Sequence, residues 1–193
     1  MKFDEQFWSE RYKNGMTGWD AGSVTTPIKE YFDQVENKDL KILIPGSGYG
    51  HEAEYLYSIG FKNIFVLDIS EEPFISLKKR LPKLSTEHFI VEDFFDHKEQ
   101  YDIILEQTFL SALSPSMRPA YAQKMHDLLV SGGRLVGVLF GVPLNTDHPP
   151  FGGSLEEYNQ LFNEIFKIKV LDVCYNSIPP RQGSEVFINL LKS

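Results

Sequence analysis

The chain has 193 residues, 42% hydrophobic and 13% aromatic, enough apolar side chain to fill the core of one α/β-sized domain. Twenty-seven acids against nineteen bases leave a formal charge of −8, and no Lys/Arg-rich cluster interrupts it, which argues against nucleic acid as an obligate partner because phosphate binding needs concentrated positive charge. A single cysteine, Cys174, rules out an internal disulfide framework and suits a reducing compartment; no run nears the ~20 apolar residues that cross a bilayer, and the amino terminus lacks a signal-peptide pattern. The expectation is one cytoplasmic domain with no membrane and no obligate protein partner, residues 1–36 forming an amino-terminal lid and helices and residues 40–193 a sheet core.

In chain order, Phe3, Phe7, Trp8, Tyr12 and Trp19 are spread through a charged segment broken by Gly15 and Gly18. Trp8 and Tyr12, four apart, share a face if helical. The segment reads either as a lid or as an amphipathic helix over one sheet edge. Thr26 as cap and Pro27 at the first position open a helix whose Ile28, Tyr31, Phe32 and Val35 repeat at helical spacing. Leu40 to Ile44 is a first strand, followed by glycines at 46, 48 and 50 and a short helix ending at Gly60. Strands are then expected at Asn63–Leu67, Glu87–Val91 and Tyr101–Leu105, with a helix from Ser70 between the first two. Pro115 to Val130 reads as the longest helix, stopped by Gly132-Gly133, and Arg134–Phe140 as a fifth strand. Ser154-Leu-Glu-Glu157 is a capping box. Val170–Tyr175 and Glu185–Leu191 form a closing strand pair. Alternating short strands and helices predict a mostly parallel sheet with right-handed crossovers.

The strand–glycine–helix stretch at residues 41–51 brings backbone close to a nucleotide-like ligand. His51 stands where a dinucleotide loop wants its third glycine, so the spacing suits an adenosyl ligand without phosphates. Asp68 lies 22 residues after Gly46, at a strand end, where a carboxylate accepts from both ribose hydroxyls; the competing reading is a turn cap. Glu92 and Asp93 end the third strand, either against an adenine edge or in a solvated turn. Glu106 and Gln107 end the fourth, beside the switch point. The histidines form no metal-ligand spacing, and His148, in a Pro-rich loop, is a candidate substrate contact. A parallel sheet closed by an antiparallel pair marks the class I methyltransferase variant of the Rossmann fold.

The sequence resembles the thiopurine methyltransferase superfamily, and within it the plant-type thiol and halide methyltransferases. The likeness is carried by Phe7-Trp8, Tyr12, Gly18-Trp19-Asp20, Thr26-Pro27, Ile44 to His51, Leu67 to Ser70, Met117 to Ala120, Pro149-Pro150-Phe151 and Ile178 to Arg181. The resemblance implies a seven-stranded, mostly parallel Rossmann-like sheet with a C-terminal antiparallel strand and an N-terminal helical lid. It implies S-adenosylmethionine (product S-adenosylhomocysteine) held by Trp8, Tyr12, Trp19, Gly46, Gly48, Asp68, Glu92, Asp93 and Gln107, and a small-molecule acceptor lined by Phe140, His148, Phe151 and Arg181. Tyr12 and Gln107 replace residues more often Trp and Tyr in relatives, Phe140 replaces a common Tyr, and Ile44 stands where the wider class carries an acid. No dedicated base is expected for a soft acceptor such as a thiol, thiopurine, halide or chalcogen. Competing readings are a nicotinamide oxidoreductase, a non-catalytic binding protein and a nucleic-acid methyltransferase.

Overall fold

A computed structural model of the chain describes residues 3–193. Strands β1 (Ile42–Pro45), β2 (Ile64–Asp68), β3 (Phe89–Val91), β4 (Tyr101–Gln107), β5 (Leu129–Phe140), β6 (Lys167–Val173) and β7 (Glu185–Leu191) form one sheet in the order β3-β2-β1-β4-β5-β7-β6. Pairings from β3 across to β5 are parallel, and β7 runs antiparallel between β5 and β6. Strand order reverses between β1 and β4, which opens a crevice beyond their carboxyl ends.

Helices α1 (Glu5–Lys13), α2 (Thr26–Asp33), α3 (His51–Ser58), α4 (Glu72–Arg80), α5 (Arg118–Asp127) and α6 (Leu155–Phe162) cover the sheet. Ile28 and Phe32 of α2, Ala53 and Leu56 of α3, and Phe74 and Leu77 of α4 pack with Ile42, Ile44, Ile64 and Val66 in one apolar layer. Tyr121 and Met125 of α5 and Phe162 of α6 pack with Leu43, Ile104, Leu135 and Ile188 in the other. Each fully buried large side chain contributes ~1.5–3 kcal/mol of transfer free energy, so both layers hold the strand ends rigidly.

Several local expectations differ from the fold. Thr25, not Thr26, is the α2 cap residue, and its hydroxyl leaves the helix end to donate to Gln107 Oε1 at 2.8 Å. The long helix expected from Pro115 begins as a 3-10 turn, Pro115–Met117, before α5. Gly132-Gly133 do not stop a helix ahead of β5. They lie inside that strand, whose first residue, Leu129, pairs with Tyr101 before the register shifts. Ser154 caps α6 as expected, accepting from Glu157 N at 3.2 Å.

Helix α1 sits over the carboxyl end of β2 rather than along a sheet edge. Asp4 caps it by accepting from Phe7 N at 3.3 Å. The Ser9 and Ser70 hydroxyls share a buried hydrogen bond of 2.8 Å, and Lys13 meets Glu72 at 2.9 Å, so α1 is tied to the turn that follows Asp68.

Candidate functional site

The turn after β1 and the end of β2 are joined through Asp68. Its Oδ2 accepts from Gly48 N at 3.1 Å and its Oδ1 from Ser70 N at 3.0 Å, which fixes the carboxylate beside the glycine turn. Burial pushes the carboxyl up to about 6, opposed by those backbone donors. Each carboxylate oxygen accepts more than one hydrogen bond, so Asp68 keeps acceptor capacity for a diol. The two glycines expected at the cofactor have different surroundings. At Gly46, with φ +57°, a Cβ would overlap the Phe109 ring, so the missing side chain makes room for a buttress from the segment after β4. At Gly48, with φ +53°, a Cβ would meet the Tyr12 hydroxyl at 3.4 Å and Trp19 Nε1 at 3.9 Å, across the turn toward the lid.

The three lid aromatics form a chain of edge-to-face contacts. Trp8 and Trp19 lie 5.5 Å apart, Tyr12 and Trp19 5.6 Å, and Tyr12 and Tyr49 of the turn 5.5 Å. Burial and the neighbouring Asp68 push the Tyr12 phenol far above its ordinary range and keep it neutral. Tyr12 and Trp19 come down on Gly48, and the cavity bordered by Trp19, Gly46, Gly48, Gln107 and Arg181 measures only about 60 Å³. Typical cofactor pockets are ~300–1,000 Å³, so this cavity is smaller than one that holds a nucleoside. A larger cleft of about 270 Å³ opens at the amino ends of β4 and β5, far from this chemistry.

Gln107 borders the cavity, with Oε1 held by Thr25 and Nε2 buried without a partner. Its neighbour Glu106 faces the other way. Its carboxylate accepts from Tyr121 OH and from Leu110 N at 3.3 Å, which organises the 3-10 turn Phe109–Ala112 carrying the Phe109 buttress. Burial pushes Glu106 up to about 7. The carboxylate of Glu92 hydrogen-bonds His97, whose other ring nitrogen meets Tyr101 OH at 2.8 Å. Asp93 is exposed and accepts from Phe95 N at 2.9 Å. Their backbone remains next to Asp68, since Glu92 N donates to Asp68 O at 3.2 Å.

Among the residues expected to line the acceptor, the Arg181 guanidinium lies 5.6 Å over the Phe140 ring, pairs with buried Glu185 at 3.3 Å and donates to the Trp19 carbonyl at 2.6 Å. Phe151 is buried against Phe3, ring centroids 5.8 Å apart, while His148 is exposed and meets the Pro149 carbonyl at 2.9 Å. Buried Arg118 reaches Gly152 O at 2.5 Å and the Glu157 carboxylate, and so anchors the loop that carries both. Thus Trp19, Gly46, Gly48, Gln107 and Arg181 border one cavity, with Tyr12 and Asp68 against its glycine turn. Trp8 and Phe140 stand one contact behind them, and Glu92, Asp93, His148 and Phe151 lie outside that cavity. Sequence reasoning missed Ser47, Glu52 and Thr25. The only advance signal was Glu52 in the first turn of α3, a position common to ordinary dipole-facing acids.

The residues fit an adenosyl cofactor. Two buried polar atoms on the cavity wall, Ser47 Oγ and Gln107 Nε2, have no partner within the protein, and the acid at the end of β2 is locked to the glycine turn. Class I methyltransferases dependent on S-adenosylmethionine are built on this strand order, and the chain is one of them. Residues 3–187 match the family model described as Thiopurine S-methyltransferase (TPMT), and the chain belongs to that family. It is 29% identical to a probable thiol methyltransferase 2 of Arabidopsis thaliana, over 92% of this chain and 81% of the relative. It is 27% identical to a thiopurine S-methyltransferase of Vibrio parahaemolyticus, over 88% and 86%. Among solved structures, the 1,6-didemethyltoxoflavin-N1-methyltransferase of Burkholderia thailandensis, with bound S-adenosylhomocysteine, superposes with a TM-score of 0.79 at 16% identity, covering 98% of this chain and 87% of that one, a likeness of fold.

Proposed function

We propose that the chain methylates a small, soft nucleophile, a thiol or related sulfur, halide or chalcogen acceptor, as a single-domain cytoplasmic enzyme needing no nucleic-acid, membrane or protein partner. The observation that carries the acceptor class is the makeup of the cavity. Trp19, the glycine turn, Gln107 and Arg181 border it, Phe140 lies one contact behind under the Arg181 guanidinium, and no hydroxyl stands at position 140 to activate a hard acceptor. When bound, S-adenosylmethionine supplies a methyl group on a sulfonium, which the acceptor lone pair takes as the carbon–sulfur bond breaks. The chain's own residues align and dry the site. Tyr12 and Trp19 offer aromatic faces that attract a cation, worth ~0.5–2 kcal/mol each, and close over the turn. Asp68 binds the ribose diol, and the Glu92-Asp93 backbone borders the adenine. Alignment and exclusion of water are the main demands of an in-line displacement, and a thiolate or halide is nucleophilic at neutral pH without a base. The Arabidopsis relative named for thiol methylation supports this acceptor class. Lone Cys174 and the −8 charge support the compartment and the lack of a nucleic-acid partner.

The test is a turnover screen with isotopically labelled methyl donor against thiols, thiopurines, halides, chalcogen oxyanions and, as controls, amines and phenols. Label in the sulfur, halide or chalcogen products is expected. Transfer confined to amines or phenols would refute the acceptor class.

A further inference from the structure

Four titratable side chains line the cavity between lid and glycine turn: Asp20, His51, Glu52 and Arg181. Asp20 is met by His51 at 2.9 Å, and Arg181 by Glu185 at 3.3 Å. Glu52 takes part in no ion pair among the described residues, although only 6% of it is exposed. Glu52 lines the cavity from the first turn of α3, on the same wall as Arg181 and Asp20. A buried carboxylate with no cation in contact is unfavourable on its own, and a positively charged ligand group compensates it. Burial, the largest cause, pushes Glu52 up to about 7, as expected of an acid still lacking that cation.

Two buried polar atoms share this cavity. Ser47 Oγ and Gln107 Nε2 have no hydrogen-bond partner, and both can donate to a carboxylate. An anion and two donors on the wall of one small cavity are complementary to an α-amino acid zwitterion. Ile44 brings no acid from β1, so within the β1–α3 segment Glu52 supplies the carboxylate that lines the cavity.

We infer that Glu52 receives the α-ammonium group at the methionyl end of the cofactor, with Ser47 Oγ and Gln107 Nε2 turned to its carboxylate; this rests on the S-adenosylmethionine reading above. Glu52 is then a binding residue that tells the amino-acid nucleoside from a bare adenosyl thioether.

The test is calorimetric titration of the full chain with S-adenosylhomocysteine and with 5′-methylthioadenosine, which has the same nucleoside but no amino acid. Glu52→Gln is expected to weaken S-adenosylhomocysteine at least tenfold and to leave 5′-methylthioadenosine within twofold, and Glu52→Asp to recover part of the loss. Thermal melting of each variant confirms that it is folded. Equal weakening of both ligands would mean a structural role and overturn the assignment. So would unchanged S-adenosylhomocysteine affinity with lost turnover, which would put Glu52 on the acceptor instead. Wild type binding both ligands equally tightly would remove this assignment and leave the cofactor reading standing, whereas wild type binding neither would remove both.

Discussion

Arg181 Nη2 donates to the carbonyl of Trp19 at 2.6 Å, joining the loop between β6 and β7 to the tip of the amino-terminal lid across 162 residues of sequence. The same guanidinium pairs with Glu185, whose side chain is fully buried, so the lid is clasped to a buried ion pair. Asp20, the next residue, is held by His51 at 2.9 Å at the start of α3. These two holds keep Tyr12 and Trp19 down on Gly48.

Opening of this clasp should be visible directly, because the chain's two tryptophans, Trp8 and Trp19, are both in the lid. Stopped-flow mixing with S-adenosylhomocysteine is expected to change tryptophan emission. Arg181→Lys keeps a cation beside Glu185 but cannot span both partners, so association and dissociation should both speed up, roughly two- to tenfold. Rates equal to wild type would show that Arg181 does not hold the lid.

The glycine turn makes two separable predictions. Gly46→Ala forces a side chain into the Phe109 ring and a left-handed residue onto a non-glycine, and should cost roughly 2–4 kcal/mol, seen as a markedly lower Tm. Gly48→Ala carries the backbone strain, ~1–2 kcal/mol, but points toward the lid, so its main effect should be weakened cofactor binding in a protein that still folds. Urea unfolding and calorimetry on the same samples separate the two. Equal stability losses in both variants would contradict the division.

Buried acids set the pH response. Asp68, Glu52 and Glu106 titrate at about 6, 7 and 7 in the folded chain, above the ordinary 3.8 and 4.5. Between those limits the folded state binds more protons than the unfolded one. Their stabilising contribution is full below the unfolded pKa values and is lost as pH rises through the folded ones. The ligand-free Tm is therefore expected to fall between pH 5 and 8, on the order of 5 °C, with a shallower fall in Glu106→Gln. Asp33 and Glu99, whose lowered pKa values come from Lys29 and Lys41, act only at more acid pH. A Tm that rises from pH 5 to 8 would contradict this accounting.

The features legible in the sequence are those set by local chemistry. The glycine spacing, Asp68 at its strand end and the Trp8–Tyr12 helical face each encode a geometry within a few residues, and a mostly parallel sheet with an antiparallel close followed from alternating elements and a closing strand pair. What was hidden depends on contacts between distant segments. Thr26 beside Pro27 carries the cap signal, but Thr25 takes the cap position and sends its hydroxyl to Gln107 of β4. Gly132-Gly133 carried a stop signal, yet their backbone exchanges hydrogen bonds with Lys192 just past β7 and they stay in β5. Glu52 resembled any acid in a first helical turn, and only folding placed it on the cavity wall with Ser47 and Gln107. Glu106 and Gln107, adjacent in sequence, divide between core and site because successive strand residues face opposite sides.

The most direct test is calorimetric titration of the wild-type chain and Asp68→Ala with S-adenosylhomocysteine. Micromolar or tighter binding by wild type and at least tenfold weaker binding by the variant are expected, because Asp68 is locked to Gly48 and is the carboxylate proposed to take the ribose diol. No detectable binding by the folded wild-type chain, or identical affinities for the two proteins, would contradict that proposal.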